Sequence, residues 1–126
     1  MRSYRQTGGE VGHDWKGTQT LLLTTTGRRS GEPRTTPLIY GRSGEDYLIV
    51  ASKGGSDSAP GWYENLSEQP EVEVQVMGNR FRARARTATE QEKPAMWAEM
   101  TGRWARYEEY QRGTERVIPV VVLERQ

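Results

Sequence analysis

Two short runs in the chain alternate strictly between apolar and polar positions. From Glu71 to Met77, Val72, Val74 and Val76 fall on one face and Glu71, Glu73 and Gln75 on the other; from Arg80 to Arg86, Phe81, Ala83 and Ala85 share a face opposite four arginines. Gly78-Asn79 between them predicts a two-residue hairpin turn. That turn opposes Val76 to Phe81, Val74 to Ala83 and Val72 to Ala85, and on the outer face Gln75 to Arg82, Glu73 to Arg84 and Glu71 to Arg86. Three other runs are β-prone: Thr20–Thr26, all Leu and Thr; Asp46–Ser52, around Tyr47-Leu48-Ile49-Val50-Ala51; and Val117–Leu123, interrupted by Pro119. A further strand spans Thr35–Arg42, where Pro37 removes a ladder donor and so predicts an edge or a bulge.

Helical spacing appears in three places. Gly61 to about Gln69, with Pro60 near its first turn, places Trp62, Tyr63 and Leu66 on one face, and Pro70 ends it. Thr89 and Glu92 have the spacing of a capping box ahead of Met96, Trp97 and Met100, with Pro94 pushing the first turn later. Arg103–Gln111 carries Trp104, Tyr107 and Tyr110 three residues apart, an aromatic stripe that serves either a core or a planar ligand. Six strands, a short helix after the third and a helical insertion before the last describe a mainly β (α+β), small antiparallel barrel, a single domain over residues 1–126. Residues 1 to about 17, with Gly8, Gly9, Gly12 and Gly17, read as a loose arm with Trp15 as an anchor.

Composition narrows the chemistry. Eighteen basic against 17 acidic residues leave a net charge of +1, so the chain as a whole is no electrostatic binder of nucleic acid or acidic membrane, and any basic site must be local. The outer-face pairing of acids with Arg84 and Arg86 also argues that the arginine row is a solvated charge ladder rather than a nucleic-acid stripe. No cysteine is present, which excludes disulfides, thiol catalysis and thiolate metal sites, and the single histidine, His13, cannot make a metal centre. The N-terminus lacks the apolar core of a signal peptide and no run is long enough to span a bilayer, so a cytoplasmic location is expected. Only 33% of residues are hydrophobic, which leaves room for a bound ligand or a second copy, hence a homodimer, to supply buried area.

The local basic site is the hairpin tip Gly27–Pro33, where Arg28, Arg29 and nearby Arg34 suit phosphate or carboxylate, although a solvated turn would have the same composition. Ser52-Lys53-Gly54-Gly55, between a strand and a helix, is like a phosphate cradle without P-loop spacing. There is no Ser-His-Asp set, no apolar carboxylate pair and no dinucleotide glycine motif, so hard chemistry would fall to a bound cofactor.

The runs Leu-Thr-Thr-Thr-Gly-Arg-Arg-Ser-Gly-Glu-Pro-Arg-Thr-Thr-Pro-Leu, Val-Ala-Ser-Lys-Gly-Gly, Trp-Tyr-Glu-Asn-Leu and Tyr-Glu-Glu-Tyr-Gln, followed by Ile-Pro-Val-Val-Val, occur in that order from Leu21 onwards. Together they resemble the deazaflavin-dependent nitroreductases and F420-dependent quinone reductases. The resemblance implies a split β-barrel that binds coenzyme F420, an 8-hydroxy-5-deazaflavin, and passes a hydride from its reduced form to a quinone, enone or nitro compound. It implies that Arg28, Arg29, Ser30 and Arg34 receive the phosphate and acidic tail, and that Thr36, Pro37 and Leu38 border the deazaflavin. Ala51, Ser52 and Lys53 meet the ring and side chain, Trp62, Tyr63 and Asn65 complete the tail site, and Tyr107 lies over the ring. Tyr107, Tyr110 and Ser52 are the candidate proton donors. Ile39 and Trp104 depart from the tyrosines that well-studied members place in the substrate pocket. Membrane-surface association is not assumed. An FMN-dependent reductase on the same barrel, or an F420 carrier without turnover, are the alternatives.

Overall fold

The computed structural model describes residues 14–15, 18–52 and 59–126. The strands are β1 (Asp14–Trp15), β2 (Thr18–Thr26), β3 (Pro33–Ile39), β4 (Gly41–Ser43), β5 (Asp46–Val50), β6 (Glu71–Val76), β7 (Asn79–Thr87) and β8 (Val120–Arg125). The helices are α1 (Gly61–Glu68), α2 (Lys93–Arg103) and α3 (Arg106–Arg112). Every strand pairing is antiparallel, in the order β3-β2-β6-β7-β8-β5-β4, with β1 beside the start of β2.

Only Tyr40 separates β3 from β4, so the predicted second strand is one bent segment. Its first part pairs with β2 and its last part with β5, which brings the two ends of the sheet together as a barrel. Pro37 lies on β3, opposite Leu22 of β2, and among the described residues β3 has no other ladder partner, in keeping with its missing donor.

The two kinds of hydrophobic run have different causes. In β6 and β7 one face is buried, with Val72, Val74, Val76, Phe81, Ala83 and Ala85 in the barrel core beside Leu21, Leu23, Ile49, Val121 and Leu123. β5 and β8 are apolar throughout because both of their faces are covered. Ile49, Val121 and Leu123 point into that core, whereas Leu48, Val50, Val120 and Val122 pack against Met96 and Met100 of α2 and Tyr107 of α3. α2 sits close on β4: a Cβ at Gly41 would lie 2.7 Å from Met100 Sδ, so a larger residue there would have to push the Met100 side chain aside.

The β6–β7 hairpin corrects the predicted register by two residues. The turn falls on Met77-Gly78, with Met77 in the left-handed region at φ 54°, and pairs Val74 with Phe81, Gln75 with Arg80, Glu73 with Arg82 and Glu71 with Arg84. A shift of two keeps every side chain on its face, which is why alternation could not discriminate the two registers. Gln75 is buried and accepts a 3.1 Å bond from Arg80 Nε. Arg86 thereby turns to Glu92 at 2.7 Å and Glu124 at 3.2 Å.

Thr89 and Glu92 form the expected capping box, with the Thr89 N–H donating to Glu92 Oε1 at 3.0 Å and the Glu92 N–H to Thr89 Oγ1 at 3.2 Å. α2 itself starts one residue later, next to Pro94. The third helical stretch begins at Arg106 rather than Arg103, because Trp104 is extended and ends α2. β5 stops at Val50 and β8 starts at Val120, both shorter than predicted, on either side of Pro119. Within the arm assigned to residues 1–17, Asp14–Trp15 forms a short ladder with Thr18–Gln19; His13, the four arm glycines and the rest of the arm lie outside the described residues. Among the described residues no helix is long and apolar enough to cross a membrane.

Candidate functional site

The β2–β3 tip is built by tight local bonds. The Gly27 N–H donates to Glu32 O at 2.8 Å, the Gly31 N–H to Gly27 O at 2.8 Å, and the Glu32 N–H to Ser30 Oγ at 3.2 Å. Gly31 has φ 72°, which lets the chain reverse without a side-chain clash. This tip and α1 enclose a cleft of about 460 Å³ lined by Arg28, Arg29, Ser30, Arg34, Thr36, Trp62 and Asn65.

The three arginines are not equivalent. Arg28 is tied to α1: its Nη1 donates to Asn65 Oδ1 at 2.9 Å, its backbone N–H to the same oxygen at 3.2 Å, and its Nη2 meets Glu64 Oε2 at 2.6 Å. Asn65 is buried and its amide also donates to Thr25 Oγ1 at 3.2 Å, so it joins the tip, β2 and α1. Arg29 and Arg34 are exposed at the cleft and have no ion-pair partner among the described residues. Two exposed cations therefore line the cleft while the third holds its wall.

A second cleft of about 300 Å³ adjoins the first, with Trp62 common to both. Pro37, Leu38 and Ile39 of β3, Val50 and Ser52 from β5 and its end, and Trp104, Tyr107 and Tyr110 around α3 line it. The Tyr107 and Tyr110 rings meet edge to face, with centroids 6.1 Å apart. Burial, with a smaller contribution from Tyr110, pushes the Tyr107 hydroxyl well above the usual phenol range, so it stays protonated at neutral pH.

The structure thus brings Arg28, Arg29, Ser30, Arg34, Thr36, Trp62 and Asn65 to one cleft and Pro37, Leu38, Ser52, Tyr107 and Tyr110 to the next. Two expected residues stand elsewhere. The Tyr63 hydroxyl lies 2.9 Å from Thr87 Oγ1 on the far side of α1, because successive helical residues diverge by about 100°. Ala51 is wholly buried in the barrel core, leaving only its backbone near the slot. Lys53 lies outside the described residues. The sequence reading missed Glu64 and Arg116; Arg116 Nη2 donates to Ala51 O at 3.0 Å and Ser52 O at 2.7 Å. An unpaired strand carbonyl opposite Pro119 was the available signal for the latter.

Comparison with known proteins places the chain in a family. Residues 1–125 match the family described as F420H(2)-dependent quinone reductase. The chain is 46% identical over 126 residues to the F420H(2)-dependent quinone reductase of Mycobacterium tuberculosis (strain H37Rv), covering 97% of this chain and 85% of that protein. A solved structure of an F420-H2 dependent reductase (FDR-A) superposes with a TM-score of 0.78 at 37% identity, covering 83% of this chain and 93% of that one. Another, described as a domain-swapped dimer, gives a TM-score of 0.81 at 35% identity, covering 98% and 92%. On a match that runs along nearly all of its length, the chain belongs to the F420H(2)-dependent quinone reductase family.

Proposed function

We infer that the two adjoining clefts are the two halves of one site, in which an F420-dependent reductase holds its cofactor and reduces a quinone. The observation that carries this reading is the change of lining across Trp62, from a cleft with exposed guanidinium groups to a slot walled by aliphatic and aromatic side chains with hydroxyls among them. Coenzyme F420 has the same division, an anionic tail on a planar deazaflavin, and the donor set fits it: guanidinium forks and a serine hydroxyl on one side, ring faces and a proline edge on the other.

When bound and reduced, F420 supplies a hydride from C5 of its deazaflavin ring. Arg29 and Arg34 neutralise the tail, Arg28 and Asn65 keep the tip against α1, and Trp62 fixes the junction. Pro37, Leu38, Ile39 and Trp104 would exclude water from the slot and hold the ring and the acceptor there. Converting a quinone to its hydroquinone takes one hydride and one proton. Tyr107, neutral because buried, and Tyr110 beside it are the hydroxyls that can hold that proton at the acceptor oxygen, with Ser52 a third donor on the same slot. Enones and nitro compounds, electron-poor in the same sense, are further acceptors in this proposal. The homodimer belongs to it as well, supported by the relative described as a domain-swapped dimer.

The test is fluorescence titration of the purified protein with F420 and with FMN, followed by oxidation of reduced F420 with a panel of quinones. F420 binding with quinone-dependent turnover is expected. Tight FMN binding with no response to F420 would sink the reading, and F420 binding without turnover on any acceptor would make the protein a carrier.

A further inference from the structure

Val50 pairs with Val120, so the next opposed pair is Ala51 with Pro119, and the Ala51 N–H duly donates to Pro119 O at 3.1 Å. In an antiparallel ladder such a pair exchanges two bonds, but Pro119 has no N–H to return. The Ala51 carbonyl is left without its ladder donor in a buried position, where an unpaired carbonyl is costly. Arg116 supplies the donor instead: one terminal nitrogen of its guanidinium donates both to Ala51 O at 3.0 Å and to Ser52 O at 2.7 Å.

Arg116 is itself held from the other side. Gln111, the residue after Tyr110 in α3, donates from Nε2 to Arg116 O at 2.8 Å and accepts at Oε1 from the Ile118 N–H at 2.9 Å. An unbroken chain of bonds therefore runs from α3, which carries Tyr107 and Tyr110, through the 116–118 segment to the backbone of Ser52. Ser52, Tyr107 and Tyr110, three of the hydroxyl residues that line the slot, are thereby referred to one guanidinium.

We propose that Arg116 is a positioning residue for the reduction: it replaces the ladder donor that Pro119 withholds and, through Gln111, sets Ser52 relative to the α3 tyrosines. The inference rests on the reductase reading above. Arg116 itself is not among the residues that line the slot, and in this role it acts through the backbone of Ala51 and Ser52.

The test compares Arg116→Met, Arg116→Lys, Pro119→Ala and the Arg116→Met/Pro119→Ala double variant. Turnover of reduced F420 with a soluble naphthoquinone should fall about tenfold in Arg116→Met, a misplacement effect, with the F420 dissociation constant changed less than about threefold. Arg116→Lys, which keeps a cationic donor, should stay within about threefold of the parent protein. Pro119→Ala restores an N–H at the ladder, so the double variant should regain part of the turnover lost in Arg116→Met. The same order should appear without cofactor, as faster amide exchange at Ala51 and Ser52 in Arg116→Met that Pro119→Ala slows again. Unchanged turnover and exchange in Arg116→Met, or loss of turnover, F420 affinity and thermal stability in proportion with no relief from Pro119→Ala, overturns the role. Should Arg116→Met not fold alone, Arg116→Lys with and without Pro119→Ala makes the same comparison. If the parent protein neither binds nor oxidises reduced F420, it is the reductase reading that fails.

Discussion

The cationic half of the cleft comes from one continuous stretch, Gly27 to Thr36, buttressed by α1, whereas the aromatic half gathers Pro37, Ser52, and Trp104, Tyr107 and Tyr110 from three separate parts of the chain. The first is shaped by bonds between neighbours in sequence, such as Gly31 N–H to Gly27 O, and by one buried amide, Asn65. The second exists only because β5 and β8 are covered on their outer faces by α2 and α3. A ligand charge can thus be recognised by a local motif, while a flat ring and its acceptor need a slot that long-range packing makes.

If that division is real, the two halves should respond separately to mutation. The largest effect is expected from Arg29→Ala with Arg34→Ala: about 2 to 4 kcal/mol of F420 affinity, taking each charge-assisted contact at about 1.5 to 3 kcal/mol with imperfect additivity. The thermal midpoint should stay put, because neither side chain has an ion-pair partner among the described residues. Calorimetry beside the fluorescence titration checks both halves of that statement. Asn65→Ala is the intermediate case, because it strips a buried partner from Arg28 and Thr25 and should cost about 1 to 3 kcal/mol of stability, read by urea unfolding. F420 affinity should fall with it.

On the aromatic side, Trp104→Ala should raise the quinone KM by roughly fivefold, about 1 kcal/mol of lost ring contact, with F420 affinity nearly unchanged. An equal loss of cofactor affinity would erase the distinction between the halves. The smallest effects concern pH. Burial raises the Tyr107 hydroxyl, so the unfolded chain gives up this proton first, and stability is constant below about pH 10 and falls above it. Tyr107→Phe should flatten that alkaline limb. Glu92, away from both clefts, is a control: hydrogen bonding from Arg86 and then Thr89 lowers it from 4.5 to about 2. Its contribution is present above pH 4.5 and lost as pH falls towards about 2. Glu92→Gln should remove that acid sensitivity, visible in a melting-temperature series, without touching turnover.

Much of this was readable from the chain. Alternation in β6 and β7, continuous apolar runs in β5 and β8, and the capping box at Thr89 each reflect a local periodicity or bond, and each is found where the residues place it. The hairpin register was not readable, since pairings two residues apart put the same side chains on the same faces. Nor was the separation of Arg28 from Arg29 and Arg34: three arginines look alike until Asn65 and Glu64 arrive from α1 and engage only one of them. The family motifs include Tyr63 and Ala51, and it took the structure to show that the one points to Thr87 and the other packs in the barrel core, so that neither lines the two clefts.

The sequence by itself determined the strands, the helices, the basic tip and the likeness to F420-dependent reductases, because those rest on spacing and on residue chemistry within short windows. Tertiary structure alone decided which arginines remain available, how Arg116 makes good the donor missing at Pro119, and that the tip and the tyrosine slot meet at Trp62. Those outcomes depend on the closure of the barrel through the bend at Tyr40, a contact between distant strands that no local pattern encodes.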